Sequence, residues 1–130
     1  MRCIEAMTKN AVRLLRPLAE QGDARAQYQL GTRYFTGAGV SQDYAEALKW
    51  FRLSADQENA DGQGALGSMY YTGRGVHQDY VLAHMWFNLS AARGGSPERR
   101  DSILHQMTRE QIAEAQRFAR EWKPRAQPQR

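Results

Sequence analysis

The chain of 130 residues has almost no cysteine and no long apolar run. Cys3 is the only cysteine, which excludes an internal disulfide and a cysteine cluster for a metal ion. The longest apolar-leaning run, residues 65–71, is interrupted by Gly67 and Ser68 and is too short to span a bilayer. Residues 1–10 lack a continuous hydrophobic core, so no signal peptide is visible. We therefore expect a cytoplasmic protein, or a periplasmic one whose signal has been removed.

The chain also has little net charge outside its C-terminal end. The formal charge is +4, but Lys123, Arg125 and Arg130 all follow Trp122, and without these three residues the excess is only +1. We expect this Pro- and Gln-containing tail, residues 124–130, to be disordered. With 42% hydrophobic and 25% charged residues, the rest has the composition of an ordinary soluble globular protein that is close to neutral.

What the sequence does contain is an internal repeat with a period of 36 residues. The segment 37–44 returns as 73–80, and aligning residues 22–55 with 58–91 gives 18 identities in 34 positions. A period between 20 and 50 residues is typical of stacked copies of one supersecondary unit. The chain is therefore predicted to be a repeat protein.

Each copy is predicted to be a pair of antiparallel helices joined by a glycine-containing turn. Asp23 and Asn59 are suitable N-caps for the first helices, over about 24–36 and 60–72, and Asp43 and Asp79 are suitable N-caps for the second helices. A glycine in the middle of each first helix predicts close helix–helix approach, and an aromatic pair on one face of each second helix predicts packing between units. The residues expected to define the structure are Gly31, Gly37, Gly39, Asp43 and Trp50 in the first copy and Gly67, Gly73, Gly75, Asp79 and Trp86 in the second.

Further helices are predicted on both sides of the two copies. Residues 6–22 match the second half of a copy and are interpreted as an N-terminal half-repeat, in which Pro17 predicts a kink or break near Arg16. Ser96 and Pro97 predict a helix that runs to about residue 107, and a capping box at residues 108–111 opens another. The expected organisation is all-α, with about seven helices in one domain: the half-repeat 6–22, repeats 23–58 and 59–94, a capping helix pair 96–123, and the tail 124–130.

These residues resemble the Sel-one-like repeat (SLR) family, a branch of the tetratricopeptide-like (TPR-like) α/α solenoids. That family's unit reads approximately A-x5-L-G-x2-Y-x2-G-x-G-V-x2-D-x3-A-x2-W-F/Y-x2-A-A, and the chain matches it from Ala24 to Ala55 and from Ala60 to Ala91. Residues 107–122 also look like the closing helix of many bacterial members. Gly62 replaces an expected alanine, and the third unit lacks the G-x-G-V loop. The resemblance implies a right-handed α/α superhelix whose first helices line a concave surface that binds proteins or peptides.

The candidate binding residues are those of the first helices that lie outside the apolar stripe. Exposed aromatic and arginine side chains are the usual anchors of a binding surface. The set is Arg25, Tyr28, Gln29, Thr32, Arg33, Asp61, Ala65, Ser68 and Met69. The predicted function is a non-enzymatic protein–protein interaction module, a scaffold or adaptor for a protein or peptide. Two alternatives stay open: a hydrolase related to β-lactamase-linked SLR proteins, and a self-associating structural protein of unknown oligomeric state.

No catalytic, cofactor or metal residues are predicted. The three histidines have no zinc-ligand spacing, and we expect them to be exposed or at interfaces. The G-x-G segments lack the context of a phosphate loop. The SLR members linked to β-lactams contain paired cysteines that this chain lacks. Nucleic acid is not expected as a partner, because Asp61 is mixed with Arg25 and Arg33 on the candidate surface, and no membrane partner is expected.

Overall fold

Seven α-helices account for most of residues 2–124, which this computed structural model describes, with side chains from residue 8 onward. They are α1 (Arg2–Glu20), α2 (Ala24–Thr36), α3 (Tyr44–Ala55), α4 (Ala60–Thr72), α5 (Tyr80–Ala92), α6 (Glu98–Ile103) and α7 (Arg109–Glu121). A short 3-10 turn, Leu104–Gln106, follows α6. Residues 2–124 contain no strand, so the all-α prediction is confirmed. The predicted disordered tail lies outside the described residues, apart from Pro124.

The helices of both copies begin at the predicted caps. The side-chain oxygens of Asp23, Asp43, Asn59 and Asp79 accept hydrogen bonds from backbone N–H groups of the following turn, at 2.8 to 3.1 Å. These donors have no partner within the helix, so each cap stabilises a helix start. The starts of these four helices, α2 to α5, therefore follow directly from the local sequence.

The glycine turns have the same geometry in the two copies. Gly37 and Gly73 end α2 and α4 with φ of 77° and 75°, in the left-handed region that favours glycine. The N–H of Asp43 then donates to the carbonyl of Tyr34 at 2.9 Å, and the equivalent bond at the same length closes the second turn. Each turn thereby reverses the chain within a few residues.

The glycine in the middle of each first helix allows its partner helix to approach closely. A Cβ atom added at Gly31 would lie 2.7 Å from ring atoms of Phe51, and one added at Gly67 would lie 2.7 Å from ring atoms of Phe87. Both phenylalanines are 4% exposed. The predicted close approach is confirmed, and its cause is an aromatic ring that takes the place of a side chain.

The tryptophan of each copy is buried between helix pairs, as predicted. Trp50 is 4% exposed and packs with Val12 of α1 and Leu30 of α2. Trp86 is 2% exposed, and its ring centroid lies 5.8 Å from that of Trp122 in an edge-to-face arrangement. Each tryptophan therefore joins its own copy to a flanking element of the chain.

Buried glutamines connect successive units, but the two copies differ. The Nε2 group of Gln27 donates to a carbonyl of α1 at 3.0 Å, and Gln57 Nε2 donates to Gln27 Oε1 at 2.9 Å. In the second copy Gln63 Nε2 makes the equivalent of the first bond, to a carbonyl of α3, at 3.2 Å. The counterpart of Gln57 is Arg93, whose Nη2 donates to Glu58 at 2.7 Å, so Gln63 Oε1 has no partner among the described residues. The second copy therefore has an ion pair where the first copy has a hydrogen bond between two side-chain amides.

Of the kink or break predicted near Arg16, the break is wrong, because α1 continues through Pro17 to its last turn, and the kink stays a prediction. Proline removes one backbone hydrogen bond, but tertiary contacts hold the residues that follow. Ala19 is 1% exposed in the core, and its carbonyl accepts the bond from Gln27. Packing against α2 therefore outweighs the local preference of the sequence.

The predicted helix from Ser96 to about residue 107 is also wrong in length. The helix ends at Ile103, and the 3-10 turn follows. Its N-cap position is Pro97, which has no side-chain cap bond, and Ser96 Oγ accepts from the N–H of Glu98 only at 3.4 Å. Ile103 is the only buried residue of α6, so little apolar contact is available to extend the helix.

The last helix begins at the predicted capping box. The N–H of Gln111 donates to Thr108 Oγ1 at 3.1 Å, and the N–H of Thr108 donates to Gln111 Oε1 at 2.9 Å. Phe118 and Trp122 then pack against the cluster around Trp86. The opposite face of α7 is exposed and rich in charged residues, so α7 covers the apolar end of the second copy.

Candidate binding groove

A groove with two sections runs along α1, α2, α4 and α6. The central groove, of about 710 Å³, lies between α2, α4 and α6, and the buried rings of Phe51 and Phe87 form part of its lining. The N-terminal groove, of about 520 Å³, lies between α1 and α2. Tyr28 and Thr32 line both sections, so the two meet on α2.

Most of the predicted binding residues line one of these sections. Tyr28, Gln29, Thr32 and Arg33 line the N-terminal groove, and Tyr28, Thr32, Asp61, Ala65 and Ser68 line the central groove. Arg25 is exposed on α2 but lines neither section. The structure thus brings seven of the nine predicted residues to the same groove, and whether they bind a partner stays a prediction.

The assignment of Met69 to the binding surface is wrong. Met69 is 1% exposed and packs in the core with Ala47 and Phe51. At the equivalent register of the first copy, Arg33 remains partly exposed and lines the N-terminal groove. The apolar side chain of Met69 is buried, whereas the charged side chain of Arg33 stays partly exposed. The shared helix register of the two residues does not show this difference.

Sequence reasoning missed the parts of the groove that lie outside the two copies. Leu14 and Leu15 of α1 line the N-terminal groove, and Ser96, Glu98 and Arg99 line the central groove. Leu14 is 71% exposed, which the sequence does not show, because a leucine in an apolar helical stripe is expected to be buried. The residues near α6 also have no signal in the sequence, because their position depends on how α6 packs.

Charge is distributed unevenly along the groove. The N-terminal groove has the guanidinium of Arg33, whereas the central groove has the carboxylates of Asp61 and Glu98 and the guanidinium of Arg99. Arg99 Nη1 donates to Ser68 Oγ at 2.7 Å. Among the described residues neither carboxylate has an ion-pair partner. The central groove therefore has an acidic rim, and the guanidinium of Arg99 in its lining is hydrogen-bonded to the neutral hydroxyl of Ser68.

His84 was expected to be exposed or at an interface, but it is 2% exposed in the interior of α5. Burial lowers its pKa below the usual 6.5, and the nearby Arg100 also lowers it, while Asp101 acts in the opposite direction. Asn88 Nδ2 lies 3.2 Å from His84 Nδ1. His84 is therefore a neutral, hydrogen-bonded core residue near pH 7.

Two further features are absent from the part of the chain that the structure describes. Among residues 8–124, no group of three or more histidine, cysteine, aspartate or glutamate side chains is placed to hold a metal ion. No helix within residues 2–124 combines the length and apolar character that a bilayer-spanning segment needs.

Comparison with known proteins places the repeats in a family. The family model described as Sel1 repeat matches residues 24–59 and 60–95, more than half of the chain. A secretory immunoglobulin A-binding protein of Escherichia coli, EsiB, is 47% identical over 38 residues, which are 29% of this chain and 8% of EsiB.

Solved structures share most of the arrangement of helices. A protective antigen of uropathogenic E. coli strains with an SLR fold matches 87% of this chain with a TM-score of 0.84 and 33% identity. A Sel1 repeat protein from Oxalobacter formigenes matches 80% with a TM-score of 0.71 and 30% identity. The chain spans 25% and 42% of these two proteins. The chain belongs to the Sel1 repeat family and has the α/α solenoid fold of SLR proteins.

Proposed function

We propose that this chain is a non-enzymatic scaffold that binds a peptide or an extended protein segment along the groove. The observation that carries the proposal is the junction of the central and N-terminal grooves at Tyr28 and Thr32. The combined groove has buried aromatic rings in its lining and charged side chains at its rim. An apolar floor with a polar rim is typical of protein interfaces and lets an extended segment contact several helices at once.

The class of partner is supported by the family and by one relative. Sel1 repeats are helical scaffolds, and the name of EsiB states that it binds secretory immunoglobulin A. A protein ligand for a relative with the same repeat favours a protein or peptide over a small metabolite here. Which peptide this chain binds is determined by its own groove residues, and these differ between the two copies.

A peptide library tests the proposal. We would immobilise the purified chain, select binders from a phage-displayed random peptide library, and measure their affinity for two variants by calorimetry. Ala65→Arg places a long side chain in the central groove, at the register where Gln29 is exposed in the first copy. Ala113→Arg adds the same side chain at an exposed position of α7 that lines neither section.

The two variants should separate groove binding from nonspecific attraction. We expect Ala65→Arg to weaken the selected peptides by at least about tenfold, which corresponds to about 1.4 kcal/mol, and Ala113→Arg to leave their affinity unchanged. Failure to select any peptide, or equal affinity for both variants, would contradict the proposal.

Self-association is a second candidate, and one observation favours it. Leu14 and Leu18 of α1 are 71% and 48% exposed, one helical turn apart. Adjacent exposed leucines can pair with a copy of themselves. Sedimentation at increasing protein concentration tests this. A dimer that is lost in Leu18→Glu supports it, and a monomer at all concentrations contradicts it; Leu18 lines neither section of the groove.

A further inference from the structure

The two copies differ at a groove position that lies next to a phenylalanine present in both copies. In the first copy, Tyr28 lies beside Phe51, with ring centroids 5.9 Å apart and planes tilted by 34°. Thirty-six residues later the pair is Gly64 and Phe87. Among residues 8–124, no ring lies against Phe87 as Tyr28 lies against Phe51.

The space that the missing ring leaves is open to the central groove. Gly64, Phe87 and Ser90 all line that groove. A Cβ atom added at Gly64 would meet only Ser90 Oγ, at 3.4 Å, which is an ordinary contact. At Gly67, one turn along the same helix, an added Cβ would overlap the ring of Phe87. The glycine at 64 is therefore not needed for helix packing, and its effect is to leave a pocket beside Phe87.

The rim of this pocket favours positive charge. Asp61 and Glu98 line the central groove without an ion-pair partner among the described residues. The guanidinium of Arg99 lies nearby but donates to Ser68 Oγ at 2.7 Å. Two carboxylates against one guanidinium leave a net negative charge, so a cation is the complementary group.

We propose that the pocket beside Phe87 takes an aromatic side chain of the bound peptide, and that a basic residue next to it in the peptide faces Asp61 and Glu98. The incoming ring lies over Gly64, at the position on α4 that corresponds to Tyr28 on α2. Phe87 lines the same groove, and aromatic pairs favour tilted or offset contacts. This proposal rests on the proposed function and adds the chemistry of the ligand.

The test uses three short probes and the full chain labelled with nitrogen-15. The probes are N-acetyl-Trp-Lys-amide, N-acetyl-Ala-Lys-amide, which lacks the ring, and N-acetyl-Trp-Glu-amide, which reverses the charge. We expect the first probe to shift the backbone amide signals of Gly64, Ser68 and Ser90. The probe without the ring should bind at least about tenfold more weakly, and the acidic probe should also bind more weakly.

Variants of the pocket complete the test. Gly64→Tyr supplies the ring internally and should abolish the shifts, whereas Gly64→Ala leaves the pocket open and should preserve them. Tyr28→Gly opens the equivalent space beside Phe51 and should add shifts around that ring. Thermal unfolding of each variant shows that it is folded, and the probe without the ring tests the proposal on the unmodified chain.

The outcomes distinguish this proposal from the one on which it rests. No shifts with N-acetyl-Trp-Lys-amide, equal shifts with the alanine probe, or unchanged shifts in Gly64→Tyr would overturn the aromatic pocket. A preference for the acidic probe would overturn the assignment of a basic neighbour. If library peptides still lose affinity in Ala65→Arg, the groove binds peptides by other contacts. If they do not, groove binding itself is wrong.

Discussion

Replacing Gly64 and Gly67 of α4 by alanine should change stability in opposite directions, although the residues are one helical turn apart. At Gly67 the new Cβ would lie 2.7 Å from two ring carbons of Phe87 and 3.2 Å from the carbonyl oxygen of Ala83. Phe87 is 4% exposed, so its ring cannot move aside into solvent. At Gly64 the new atom has an ordinary contact at 3.4 Å.

The magnitudes follow from two opposing effects. Alanine in a helix interior is more stable than glycine by about 0.5–1 kcal/mol. Overpacking a core costs about 1–3 kcal/mol. Gly64→Ala has only the first effect and should raise the free energy of unfolding by about 0.5–1 kcal/mol. Gly67→Ala has both and should lower it by up to about 2.5 kcal/mol.

Urea unfolding followed by far-ultraviolet circular dichroism measures this difference. The matched control is Gly31→Ala, where the added Cβ would lie 2.7 Å from the ring of Phe51, and it should behave like Gly67→Ala. If Gly67→Ala proves as stable as Gly64→Ala, then the contact between helix and ring is not the reason for the mid-helix glycine, and our account of the packing between helices is refuted.

Three further changes test the core. Trp50→Ala should cost about 3–5 kcal/mol in urea unfolding, as large truncations of buried side chains do, and a loss below 1 kcal/mol would mean that Trp50 is not a packing residue. Ser90 Oγ donates to the carbonyl of Ala60 at 2.8 Å, so Ser90→Ala should lower the unfolding free energy by about 1 kcal/mol; unchanged stability would contradict this. Because burial lowers the pKa of His84 below 6.5, the unfolded chain binds a proton that the folded chain does not, and stability should fall as the pH decreases below 6.5. His84→Leu, which introduces the residue found at position 48, should reduce that fall in urea midpoints measured across the range; an identical pH dependence would contradict the assignment.

The repeated part of the fold could be predicted because each structural residue occurs twice at the same register. Asp43 and Asp79 cap their helices, and Trp50 and Trp86 are buried, as the sequence indicates. Local chemistry is sufficient for a cap, and a shared spacing is sufficient for a core face. The break near Arg16 failed because the stability of the last turn of α1 depends on contacts with α2, which are distant in sequence.

The candidate groove could be predicted only in part, for a related reason. Seven of the predicted binding residues line the groove from α2 and α4, and helix periodicity alone places them outside the apolar stripe. Met69 was misassigned because its apolar side chain finds room in the core. Arg99 and Glu98 come from a segment outside the two copies, and its packing has no signature in the repeat. The pocket beside Phe87 depends on a difference between the copies, Tyr28 in one and Gly64 in the other, whereas a repeat is recognised from its identical residues.

Gln57 of the first copy corresponds to Arg93 of the second, so the contacts that join successive helix pairs respond differently to salt in the two copies. The first junction is held by hydrogen bonds between neutral amides, including Gln57 Nε2 to Gln27 Oε1. The second has the partly exposed ion pair of Arg93 with Glu58, with side chains 27% and 48% accessible. Dissolved salt screens exposed charges and leaves hydrogen bonds between neutral amides nearly unaffected. As ionic strength rises, backbone amides at the C-terminal end of α5 should exchange with deuterium sooner, while those at the end of α3 keep their protection.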